Sequence, residues 1–151
     1  MSATALIQII TAMIGSLGFA ILFNIRGKQL PVAFLGGGLT FALFLLLDHF
    51  VESEMLCYFL VALTASLYAE VMARVLRSPA TVFIAPCLIP MVPGASLYYT
   101  MSHALNDNAE GFIEKGTATL QIAAALAVGV IVSTVFMRII LNAAGYLKAK
   151  K

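Results

Sequence analysis

The chain has 151 residues, of which 62% are apolar and 11% charged, and a net charge of +2. Soluble domains carry about 45–50% apolar and about 25% charged residues, so this composition excludes an ordinary soluble domain and points to a membrane protein. A charge this small, with basic residues in ones and twos, gives no reason to expect a nucleic-acid partner.

Five apolar stretches, each near the roughly 20 residues a helix needs to cross the hydrocarbon, follow in chain order: Thr4–Phe23, Leu30–Leu47, Met55–Val75, Pro79–Leu105 and Thr117–Leu141. The expected fold is an all-α integral membrane protein, a single helical domain over residues 1–151 with five transmembrane helices in contact with the lipid bilayer. The first stretch has no basic region ahead of it, and Arg26 and Lys28 come after it, so it reads as a retained helix rather than a signal peptide. In the second, Gly36-Gly37-Gly38 lacks the lysine and strand context of a phosphate loop. Close backbone packing between helices explains that run better, and Gly15, Gly18 and Gly129 read the same way.

The third stretch holds Glu70, with Arg74 and Arg77 at i+4 and i+7. Glutamate four residues ahead of arginine is the favourable order for an intrahelical pair. A carboxylate at membrane depth must face protein or water, so Glu70 is a candidate for carrying a coupling proton as well as for orienting the helix end. Cys57 and Cys87 sit inside apolar segments without metal-ligand spacing and read as core fillers. No metal site and no cofactor beyond a coupling proton is expected.

The fourth stretch cannot be one continuous helix, because Pro86, Pro90, Pro93 and Gly94 fall within nine positions. Each proline lacks an N–H, so the carbonyls of Val82, Pro86 and Ile89 are expected to lose their usual partners. At membrane depth such backbone must line a protein-buried or watery space. The span is therefore expected to break at Pro90–Gly94, and a new half-helix starting at Gly94 would aim free N–H groups and its positive dipole end at an anion. Pro90, Pro93, Gly94, Ser96, Tyr98, Tyr99 and Thr100 form the candidate translocation site for a small zwitterionic or anionic substrate. His103, near the outer end, is a weaker candidate for proton coupling, and no nucleophile, base and orienter stand at a spacing that suggests an enzyme.

Orientation follows the sorting of charge. Arg26, Lys28, Arg74, Arg77, Arg138, Lys148, Lys150 and Lys151 fall on one side of a five-span chain, leaving only Lys115 opposite. Asp48, Glu52, Glu54, Asp107, Glu110 and Glu114 fall on the other side. The positive-inside rule then puts the N-terminus outside and the C-terminus in the cytoplasm.

Arg74 to Ala80, Ile89-Pro90-Met91-Val92-Pro93-Gly94 and Leu97-Tyr98-Tyr99 together resemble the threonine/serine exporter family, and more narrowly its small, separately encoded C-terminal half. The resemblance covers nearly the whole chain. It implies a multi-pass protein of the bacterial inner membrane that exports threonine and serine, or a dicarboxylate such as succinate. It also implies a larger exporter-type partner subunit. A five-span half enters and leaves on opposite sides, so two halves joined end to end are inverted, as in many alternating-access transporters. A homo-oligomeric transporter or channel and a non-transporting scaffold or assembly subunit are the alternatives.

Overall fold

The structure is a computed structural model that describes residues 3–149, with side chains as far as residue 143. The described residues form helices only: α1 (Ala3–Leu22), α2 (Gln29–Phe50), α3 (Glu54–Val75), α4 (Thr81–Leu88), a 3-10 turn (Ile89–Met91), α5 (Gly94–Leu105) and α6 (Ala109–Ala149). α1, α2, α3 and α6 are each long and apolar enough to span a membrane, and α4 with its turn and α5 pass the same test only together, as a pair bent by 57° that makes either a broken fifth span or a re-entrant loop.

Three of the helices end in the same way. After α1, Asn24 takes a left-handed φ of 59° while the Asn24 and Ile25 amides donate to Ile21 and Ala20. This is the Schellman arrangement, which satisfies two terminal carbonyls, and here Ile25 is buried against Ala20 and Ala33. Arg77 after α3 (φ 52°) and Asp107 after α5 (φ 53°) repeat it, with the Ser78 amide reaching Ala73 O and the Asn108 amide reaching His103 O. Arg77 therefore lies beyond α3, not on its face: the expected i+7 alignment with Glu70 fails because the chain has already turned.

Helix starts carry side-chain caps where the sequence offers them. Ser53 accepts the Leu56 amide ahead of α3, and Asn108 Oδ1 accepts the Gly111 amide at 3.0 Å ahead of α6. Glu54 and Glu110 stand in the first turns, at the positive dipole ends. The cap at Asn108 moves the last helix well outside its expected bounds of 117–141. With no proline after Asn108, α6 runs 41 residues, about 60 Å. That is roughly twice the hydrocarbon thickness, so Glu110, Glu114 and Lys115 are helical rather than in a loop. Lys150 and Lys151 lie outside the described residues, as does the side chain of Lys148.

α1 packs on α2, α2 on α3 and α4, α3 on α4 and α6, and α5 chiefly on α6. Glycine makes the close approaches. A Cβ at Gly36 would lie 2.3 Å from Cys87 Sγ, one at Gly37 would lie 2.4 Å from Ser16 Cβ, and one at Gly38 would lie 2.4 Å from Met13 Cγ. One at Gly129 would meet the Phe59 carbonyl and Ala62 Cβ at 2.8 Å. The packing role holds for these four but not for Gly15 and Gly18, whose Cβ positions are open space. Gly15 instead borders an open groove beside Ile89 and Pro90, and Gly18 is exposed.

Candidate functional site

The broken span is held firmly on its α4 side. Phe83 is fully buried against Ala69 and Ala73 of α3, Cys87 packs under Gly36, and Met91 of the 3-10 turn is buried with Cys57 and Val61. α4 and the turn together rise about 18 Å, a little over half the thickness of a hydrocarbon layer of about 30 Å. Within it the backbone finds local partners. The Val92 amide donates to Ile89 O at 3.1 Å, so the Ile89 carbonyl, expected to be stranded by Pro93, is recovered by the tighter 3-10 bond. Pro93, at φ −75° and ψ 58°, is the centre of an inverse γ-turn closed by the Gly94 amide on Val92 O at 2.7 Å. This turn produces the bend.

α5 starts openly. A Cβ at Gly94 would touch nothing within 4 Å, no side chain caps the helix, and none of its residues is buried. The Gly94 amide is used by the γ-turn, so the N–H groups of Ala95 and Ser96 are the ones left without a carbonyl in the helix.

The hydroxyls expected beside this start divide between two faces. Thr100 Oγ1 donates to Ser96 O at 2.7 Å, and Thr100 Cγ2 packs towards Gly116 of α6, so Ser96 and Thr100 share the α6 side. Tyr98 and Tyr99 project away, 70% and 53% exposed, with their rings edge to face at 5.6 Å. Pro90 and Pro93 shape the break itself.

The charged candidates lie elsewhere. Arg74 Nη1 pairs with Glu70 Oε2 at 2.8 Å and also donates to the Glu70 carbonyl, and Glu70 is only 9% exposed. The pair belongs to the level of Phe83, about 10 Å along the helix from Pro90. Arg77, in the turn after α3, is exposed. His103 joins neither group. Its Nδ1 is 3.3 Å from Asn108 Nδ2, and its ring covers Gly111, so it ties the end of α5 to the start of α6. Among the described residues no three His, Cys, Asp or Glu side chains come together as a metal set.

One wall of the break was not anticipated. A groove of about 250 Å³ is lined by Ile89 and Pro90 together with Gln8, Thr11, Ala12 and Gly15 of α1 and Phe41 of α2. Gln8, Thr11 and Gly15 stand at i, i+3 and i+7 on one face of an otherwise apolar helix, a spacing that marks the stripe once α1 is known to flank Pro90. Three buried hydroxyls, on Ser16, Ser66 and Ser133, have no hydrogen-bond partner among the described residues. They mark the α1–α2 and α3–α6 contacts rather than the break.

No solved structure matches the chain. A family profile described as "Threonine/Serine exporter, ThrE" matches residues 8–136, which takes in all of α2 to α5 and most of α1 and α6. With a helical, multi-pass fold and a match over most of its length, the chain belongs to the threonine/serine exporter family.

Proposed function

We propose that this chain is the membrane subunit of a secondary exporter of small polar metabolites, with its substrate handled at the Pro90–Thr100 break. The observation that carries this reading is the open, uncapped start of α5 after a bend between two apolar helices, in a member of an exporter family. Free N–H groups of Ala95 and Ser96 at a positive dipole end suit a carboxylate, and the Pro86 carbonyl, to which Pro90 offers no N–H, suits an ammonium or hydroxyl. Threonine and serine carry all three groups.

The same geometry favours a larger exporter-type partner subunit. α5 leans on α6 alone for most of its contact, while Tyr98 and Tyr99 are exposed and the first N–H groups have no carbonyl in the helix, polar groups that lipid would leave without a hydrogen bond. A partner in the bacterial inner membrane would complete the walls. A second copy of this chain would do so in the homo-oligomeric alternative. Charge sorting supports an outside N-terminus and a cytoplasmic C-terminus, and the buried Glu70, paired with Arg74, is the group best placed to carry a coupling proton.

The test is efflux of labelled threonine, serine and succinate from liposomes holding the chain with and without the partner. Flux that needs this chain and falls when Gly94 or Ser96 is replaced at unchanged abundance supports the reading. Loss of abundance without selective loss of flux would favour a scaffold instead.

A further inference from the structure

The groove on the α1 side of the break is electrically neutral. α1, α4 and the 3-10 turn carry no charged side chain, α2 carries its one acid, Asp48, and its one histidine, His49, at its far end, and the one histidine of α5, His103, is in its last turn. What the groove offers instead is uncharged hydrogen bonding. The Thr11 hydroxyl donates to Ile7 O at 3.0 Å and Gln8 O at 2.9 Å, so towards the groove it presents lone pairs. The Gln8 side-chain amide, with a donor and an acceptor, has no hydrogen-bond partner among the described residues. An amide left in that state beside hydrocarbon is costly, and the groove at Pro90 is where α1 can bring a polar ligand to it.

We propose that Gln8 and Thr11 form a specificity subsite that reads the side-chain hydroxyl of the substrate. This rests on the exporter reading, with the substrate carboxylate at the start of α5, only four residues beyond Pro90. A hydroxyl is both donor and acceptor, which matches an amide beside a hydroxyl already committed as donor. A second carboxylate has no cation to meet in this groove, so the subsite admits a hydroxy amino acid and disfavours a dicarboxylate. Gly15 completes the wall by leaving room, its Cβ position being open.

The test compares efflux of threonine with that of 2-aminobutyrate, the same amino acid without its hydroxyl, from vesicles containing the full chain and its partner. Wild type is expected to prefer threonine. Gln8→Leu and Thr11→Val are expected to lose about tenfold of that preference, about 1.4 kcal/mol, read as the ratio of the two efflux rates within each variant. Thr11→Ser, which keeps the hydroxyl, is expected to retain the preference. Both residues are exposed in the chain, so the variants should reach wild-type abundance, which is measured alongside. A wild-type preference in both Gln8→Leu and Thr11→Val overturns the subsite and leaves the exporter reading standing. Wild type moving neither amino acid overturns the exporter reading, and the subsite with it.

Discussion

Arg74 Nη1 lies 2.8 Å from Glu70 Oε2 across one turn of α3, and the two partners are unequally buried: the Arg74 side chain is 37% exposed and that of Glu70 11%. Removing either leaves a different residue unpaired. Arg74→Gln strands a buried carboxylate and is expected to cost about 1–2 kcal/mol, less than a fully enclosed pair because water reaches the arginine. Glu70→Gln strands a guanidinium that can turn outward, and is expected to cost under about 1 kcal/mol. Thermal loss of the monodisperse fraction in detergent gives the order. If Glu70 carries the coupling proton, Glu70→Gln also flattens the pH dependence of export while the protein stays in the membrane. A wild-type pH profile in that variant would remove Glu70 from coupling.

The glycines separate into two classes that one residue type conceals. Gly129→Ala meets backbone, the Phe59 carbonyl, and is expected to destabilise by about 1–3 kcal/mol, with Gly36→Ala close behind. Gly15→Ala and Gly18→Ala meet nothing and gain helix propensity, up to about 1 kcal/mol each. Abundance and thermal stability of the four variants would show whether the α3–α6 contact is as close as described.

Arg77 sits in the left-handed region where glycine is at no disadvantage, so Arg77→Gly is expected to stabilise the chain by about 1 kcal/mol. The same change removes a charge from the side proposed to face the cytoplasm. A rise in thermal stability together with a larger fraction inserted in the inverted orientation would show that the arginine is kept for topology. Unchanged stability would mean that its side chain makes up for the backbone strain.

Replacing both Pro90 and Pro93 with alanine restores the missing N–H donors and lets the span continue as a helix. The 57° bend is expected to open, visible as a longer distance between spin labels placed on α4 and α5, and export should fall with it. A straightened span with undiminished export would separate the bend from transport.

Much of this architecture is legible in the residues, for reasons that also set the limit. Apolarity reports membrane depth, so it located the spans but cut the last one at 117–141, whereas helix length is set by the cap at Asn108 and the absence of proline after it. Prolines located the break, although the rescue of the Ile89 carbonyl by a 3-10 bond depends on local geometry that no pattern encodes. The Glu70–Arg74 pair is a matter of helical spacing and was readable. Arg77 was not, because a Schellman end formed on arginine lacks the usual glycine signal. Gln8 and Thr11 needed the tertiary neighbour, α1 beside Pro90, before their spacing acquired meaning.

The most direct measurement is substrate protection at the start of α5. Both native cysteines are buried, so in Ser96→Cys the introduced thiol is the accessible one. In membranes holding the chain and the proposed partner, a membrane-impermeant thiol reagent should label it, and threonine should slow that labelling in a saturable way. Labelling that is indifferent to threonine, or that needs a lipid-soluble reagent, would contradict a watery substrate site at the break.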